Sequence, residues 1–253
     1  LLESMSPSLG RAALAEFVGT LLFQLLGGSS TYAPFNGLIL AVVIYMTAAA
    51  SGGVVNPAVA LSLLLSGEIS TLKWLVYSFV ELTGAVIGAL LGALADPKAP
   101  ALSWSIDGGG PGCVPATDPN RFSTVFLWEF VGTFMLCAVV LTTAVQKPDF
   151  GDMAPLAIGL AVAVNVGTSG TITGGCYNPA RFFGPAFAFG CRLHLIWLYF
   201  AAQFLGAIAA AYWHSVHAER SRTNDSAPLR EPGVQLSSSS SAVPIEPPAG
   251  SRA

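Results

Sequence analysis

Charge is what this sequence has least of. Its 253 residues include 11 Lys and Arg and 14 Asp and Glu, 10% of the chain, against 53% hydrophobic residues and a mean hydropathy of +0.64. A soluble domain carries roughly 25% charged residues, so this composition cannot clothe a water-exposed globule and points to a bilayer. Basic excess is lacking as well: a net charge of -3 offers phosphate backbones nothing to bind, which excludes DNA and RNA as partners. Cysteine is sparse, and the spacing of Cys113, Cys137, Cys176 and Cys191 matches neither a zinc site nor a disulfide framework, leaving the redox compartment open. Cys137, inside an apolar run, reads as a small buried hydrophobe. Histidine occurs only at His194, His214 and His217, too far along the chain for a pH switch in its middle. With no nucleophile beside a base, no metal cluster and no phosphate loop, an enzyme, a cofactor and a metal site are not expected.

What is abundant is apolar sequence. Six runs, roughly 9–28, 36–54, 72–95, 124–145, 154–170 and 194–214, mostly approach the ~20 residues that a helix needs to cross ~30 Å of hydrocarbon. Leu1 to Leu9 lacks a basic n-region, so the first run reads as a retained span and not as a signal peptide. With six spans and a cytoplasmic amino terminus, Arg11, Lys73, Lys147, Arg220, Arg222, Arg230 and Arg252 fall on the cytoplasmic side. Lys98, Arg121 and Arg192 fall on the other, the asymmetry that the positive-inside rule expects, with both termini cytoplasmic.

The chain repeats itself. Glu16-Phe17-Val18-Gly19-Thr20 returns as Glu129-Phe130-Val131-Gly132-Thr133, an offset of 113, and Asn56-Pro57-Ala58 returns as Asn178-Pro179-Ala180, an offset of 122 that also carries Glu81 to Gln203 and Gly84 to Gly206. Each half then holds three spans, and an odd number inverts the second half in the membrane. Such inverted repeats place substrate sites at their interface near the midplane.

After each Asn-Pro-Ala the apolar run is too short to cross, which predicts two re-entrant half-helices. Asn is a strong N-cap and Pro suits the first helical position, so each motif is a helix start. Inversion brings the two starts head to head, and irregular backbone at that depth is tolerated where it lines a watery cavity. Capping uses each amide oxygen, leaving the NH₂ groups of Asn56 and Asn178 for a pore. Arg181, one turn into the second half-helix, is expected to face that pore, as intramembrane charges face cavities.

These features resemble the major intrinsic proteins, the aquaporin and aquaglyceroporin family, over about residues 9–216. The resemblance rests on Ser51-Gly52-Gly53-Val54-Val55-Asn56-Pro57-Ala58-Val59, on Asn178-Pro179-Ala180-Arg181-Phe182-Phe183-Gly184-Pro185-Ala186 and on the two Glu-Phe-Val-Gly-Thr passages. It implies an all-α membrane protein of six transmembrane helices and two half-helices, a channel domain over 1–217 with repeats at about 9–95 and 124–214. It implies one pore per subunit and a homotetramer, with water and small uncharged solutes and the lipid bilayer as partners. By register with the family, the selectivity constriction falls on Asn36, Val166, Gly175 and Arg181. Strict water channels place an aromatic residue and a histidine where Asn36 and Val166 stand, so a wider opening is expected, close to the plant vacuolar type. Water with urea, ammonia or glycerol is the expected cargo, protons and ions being excluded. Glycerol facilitators usually have Asp after the arginine, whereas this chain has Phe182.

The resemblance also assigns Glu16 and Glu129 to bracing the re-entrant loops, and the pairing of Glu81 with neutral Gln203 points to polar packing. Gly84, Gly88 and Gly92 form a small-residue face for close helix packing. Cys176 stands one residue after the cysteine of mercury-sensitive relatives. From Ala218 onward, a serine run at 237–241 and five prolines predict a disordered cytoplasmic tail over 218–253. Three classes stay open: a passive channel, including a solute facilitator with low water flux, a secondary transporter, and a membrane-junction protein.

Overall fold

A computed structural model of the chain describes residues 7–28, 30, 32–95, 109–115, 121–146 and 149–225. Among the described residues the regular structure is helical throughout: α1 (Pro7–Gly28), α2 (Ala33–Ser51), α3 (Pro57–Leu65), α4 (Thr71–Ala95), α5 (Phe122–Val140), α6 (Ala154–Thr173), α7 (Pro179–Phe189) and α8 (Ile196–Asp225). Six segments are long and apolar enough to cross a membrane: 9–28, 33–51, 71–95, 122–145, 151–173 and 193–217. The two shorter helices, α3 with 9 residues and α7 with 11, extend only about 14–17 Å, half of the hydrocarbon. The second span ends earlier than expected. Gly52, at φ 103°, caps α2 in the left-handed conformation and turns the chain into the first re-entrant loop.

The repeat is visible in the packing. α1 lies against α4 as α5 lies against α8, while α3 touches α8, α4 touches α7, and α2 meets α6 on the pseudo-two-fold. Lipid exerts no hydrophobic force between helices, so these contacts depend on close approach of small residues. A Cβ on Gly84 would stand 2.6 Å from the Phe17 carbonyl oxygen, and one on its repeat mate Gly206 would stand 2.5 Å from the Phe130 carbonyl oxygen. The expected small-residue face of α4 is thus a helix-packing face.

Polar and apolar residues are distributed as a bilayer demands. Phe79, Val42, Leu94 and Tyr212 are exposed on the outer surface, whereas Glu16, Glu81, Glu129 and Gln203 are fully buried. Cys137 is fully buried, as a small hydrophobe. α8 continues to Asp225, past the expected end of the channel domain at 217, and the rest of the Ser/Pro-rich segment lies outside the described residues.

The cysteine reading needs correction. Cys113 and Cys191 form a disulfide across 78 residues, with Cα atoms 6.1 Å apart. Spacing alone did not reveal the pair, because it joins a loop between the halves to the end of α7.

Candidate functional site: two half-helix starts and a buried arginine

Asn56 and Asn178 have extended backbones and cap α3 and α7. Asn56 Oδ1 accepts the Ala58 and Val59 N–H groups, and Asn178 Oδ1 accepts that of Ala180. Pro57 and Pro179 take the first helical positions, and Ala58 and Ala180, both fully buried, let the two helix starts approach. The amide nitrogens depart from expectation. Asn56 Nδ2 donates to the Tyr177 carbonyl at 2.9 Å, and Asn178 Nδ2 donates to the Val55 carbonyl at 2.8 Å. Each half therefore ties down the cap of the other. An amide nitrogen carries two N–H groups, so one remains on each Asn for the cavity that both line.

The backbone that makes these bonds is strained in matching places. Val55 and Tyr177, one residue before each Asn, have φ of 44° and 47°, a region that a β-branched or bulky side chain rarely enters. The left-handed turn points each carbonyl across the pseudo-two-fold and each N–H toward a buried carboxylate. Glu16 accepts the Val54 N–H at 2.9 Å and that of Val55. Glu129 accepts the N–H groups of Cys176 at 3.1 Å and Tyr177 at 2.8 Å, the Thr173 hydroxyl at 2.7 Å and the Gln203 amide at 2.8 Å. Hydrogen bonds to a charged acceptor stabilise by about 1.5–3 kcal/mol each, enough together to hold both strained turns. Both glutamates thus brace the re-entrant loops.

A cavity of about 370 Å³ runs from one end of the bundle past the two Asn residues. Glu68, Lys73 and Asp149 line its charged mouth at that end, and Ile44, Val59, Leu136 and Val162 line its apolar walls. Toward the other end it is bounded by Asn36, Val166, Gly175 and Arg181, so the four residues picked from sequence meet around one lumen. Gly175 has φ 61°, and a Cβ there would stand 3.2 Å from Val166, so only glycine serves at this point.

Arg181 is 9% exposed, and its Nη2 donates to Asn36 Oδ1 at 3.1 Å. Asn36 is itself held by long hydrogen bonds from Nδ2 to the Ser30 and Tyr32 carbonyls, which leave its oxygen facing the arginine. Sequence reading treated Asn36 only as a loss of bulk and missed this orienting contact. It also missed Phe23, whose ring centroid lies 5.0 Å from the guanidinium carbon, and Gly27, where a Cβ would stand 2.9 Å from Nη1. Among the described residues Nη1 has no hydrogen-bond acceptor. Nη1 is itself buried beside Gly27, so the guanidinium is held at the edge of a lumen whose other walls are largely apolar.

Two features of the surrounding shell had no sequence signal. Tyr177 fills the space beside Gly132, its hydroxyl bonded to Ser169 and to the Asn165 carbonyl. The Gly109–Pro115 loop packs across the Arg181 end: Val114 lies over Gly174, Gly110 over Phe189, and the Cys113–Cys191 bridge anchors it to α7. Cys176 is free, buried and borders the lumen.

Comparison with known proteins agrees with this architecture. The family model described as major intrinsic protein matches residues 3–214. A probable aquaporin TIP3-2 of Oryza sativa subsp. japonica is 34% identical, over 91% of each chain. An aquaporin PIP-type of Atriplex canescens is 36% identical, over 82% of this chain and 80% of its own. In fold, the chain resembles the X-ray structure of an aquaglyceroporin from Plasmodium falciparum, with TM-score 0.68 and 22% identity, covering 85% of this chain and 99% of that one.

Proposed function

The chain belongs to the major intrinsic protein family and is a passive, multi-pass membrane channel for water and small solutes, not an enzyme, and we propose how its residues select among them. The observation that carries the proposal is the lumen bordered by Asn56, Asn178 and Arg181.

At the centre, two half-helix starts each present roughly +0.5 of a charge to the same point. The remaining N–H of Asn56 and of Asn178 donate to the oxygen of a passing water, so that its hydrogens point away from the centre. A proton relay through that point is broken and a cation is repelled. Pore-lining donors and the positive ends of half-helix dipoles are the general means by which channels of this fold exclude protons and cations. At the constriction, the Arg181 guanidinium that borders the lumen donates to a solute oxygen while its charge repels cations. Asn36, Val166 and Gly175 leave more width than a ring and an imidazole would, so urea, ammonia and glycerol pass along with water.

Orientation follows from charge and from the disulfide. Cys113 and Cys191 lie at the bundle end opposite the start of α1 and the end of α8. Disulfides persist on the oxidising side of a membrane, which supports both termini being cytoplasmic, as the Lys and Arg distribution does. We take 1–217 as the channel domain, 218–253 as a tail, and a homotetramer with one pore per subunit as the assembly typical of the family.

Stopped-flow light scattering on proteoliposomes tests the reading. Water should equilibrate faster than in empty liposomes, and urea and glycerol gradients should collapse faster too. Solute gradients that collapse no faster than in empty liposomes would overturn the wide-constriction reading.

A further inference from the structure

Glu81 and Gln203 occupy equivalent places. Four residues before each, Tyr77 donates its hydroxyl to the Ser51 carbonyl at 2.8 Å, and Tyr199 donates to the Thr173 carbonyl at 2.7 Å. Three residues after each, Gly84 and Gly206 press against the Phe17 and Phe130 carbonyls. The second half uses its position clearly: Gln203 Nε2 donates to Glu129 Oε2 at 2.8 Å, completing four bonds to that carboxylate. In the first half, among the described residues, Glu16 accepts only the Val54 and Val55 N–H groups, and the neighbour in Gln203's place is an acid.

Both oxygens of Glu81 are fully buried without a hydrogen-bond donor of good geometry. The groups that approach them are the Glu16 carboxyl and the Asn56 backbone N–H. Among the described residues, Arg11 of α1 is exposed and Lys73 of α4 sits over the Tyr77 ring, 5.1 Å from its centroid. α3 carries no ionisable side chain, and Arg181 of α7 is engaged with Asn36. On the same helix, the Tyr77 hydroxyl is committed to Ser51. Two ionised carboxylates side by side at this depth would repel each other, and backbone N–H groups carry no full charge to offset the second one.

We propose that the Glu16–Glu81 pair is a proton-binding site: it holds one proton, carried on Glu81, whose O–H donates to Glu16 as the Gln203 amide donates to Glu129. The proton gives Glu16 its third donor and turns the acid into a structural equivalent of glutamine. It is a resident proton that locks the first re-entrant loop and takes no part in transport. A solvated glutamate ionises near pH ~4.3, so the unfolded chain releases this proton at neutral pH while the folded channel keeps it. The sign of the linkage follows: the folded state binds more protons, and its stability falls as pH rises above that range.

The test uses the full-length channel in detergent and three sequences: wild type, Glu81→Gln and Gln203→Glu. Infrared spectra at neutral pH should show the C=O stretch of a protonated carboxyl in wild type, its loss in Glu81→Gln and a second such band in Gln203→Glu. Between about pH 6 and about pH 8.5 the wild-type Tm should fall by roughly 5–10 °C more than that of Glu81→Gln, and Gln203→Glu should be steeper still. A band unchanged by Glu81→Gln, or parallel Tm curves, would overturn the proposal. So would a Glu81→Gln chain that does not fold, since glutamine is the amide counterpart of the protonated acid.

Discussion

Glu16 and Glu129 hold equivalent places in the two halves, yet Glu129 accepts four hydrogen bonds where Glu16 accepts two. The Asn caps, by contrast, are matched almost bond for bond, each donating to the carbonyl before the other. Symmetry is therefore kept at the middle of the pore, where a water must meet the same field from both sides. It is abandoned in the supporting shell and around the lumen-lining Arg181. Arg181, in the second half, has Val59 as its repeat mate, and Cys191 has Ile69. The second half carries the charge and the crosslink, and the first half supplies Asn36, Phe23 and Gly27 to seat that charge.

The largest test of this difference is Glu129→Gln against Glu16→Gln. Removing the better-bonded carboxylate should destabilise by about 3–5 kcal/mol, because buried N–H groups lose a charged acceptor, and Glu16→Gln by roughly 1.5–3 kcal/mol. Denaturation in detergent measures both, and equal losses would break the comparison. Next, Cys113→Ser or Cys191→Ser should cost about 2–4 kcal/mol, the usual range for a crosslink closing a long loop. A reducing agent should reproduce that loss in wild type and have no further effect on either variant.

Arg181→Val makes the constriction resemble its repeat mate. Loss of the fixed cation should raise proton or cation conductance at least about tenfold, the factor that 1.4 kcal/mol of barrier supplies. A pH-sensitive dye inside proteoliposomes reads the leak, and an unchanged leak would assign ion exclusion to the half-helix starts alone. The smallest effect concerns Cys176, whose repeat mate is Val54. A mercurial should slow water flux in wild type and leave Cys176→Ser unaffected, while equal inhibition of both would place the reactive thiol elsewhere.

Much of this architecture was legible because its signals are local or periodic. The six spans follow from hydropathy, the half-helices from Asn-Pro followed by too short a run, and the depth of Arg181 from its place one turn after Asn178. The inversion followed from an odd number of spans per half. What escaped depends on approach between distant segments. Cys113 and Cys191 are 78 residues apart and meet only because the inter-half loop folds over α7. The second bond of each Asn needs a left-handed Val55 or Tyr177, and neither residue type announces that conformation. Asn36 reads as a small constriction residue until its oxygen is seen to hold Arg181. The register with known relatives picked four residues that border one lumen, but residue type alone did not reveal which contacts orient them.

The central claim is that Asn36 keeps the constriction open while seating the arginine. Urea and water permeabilities measured together in proteoliposomes of wild type and Asn36→Phe test it most directly. The account predicts that urea permeability drops about tenfold in the variant, the effect of about 1.4 kcal/mol of added barrier, while water permeability stays within about threefold. An unchanged ratio of urea to water would contradict it.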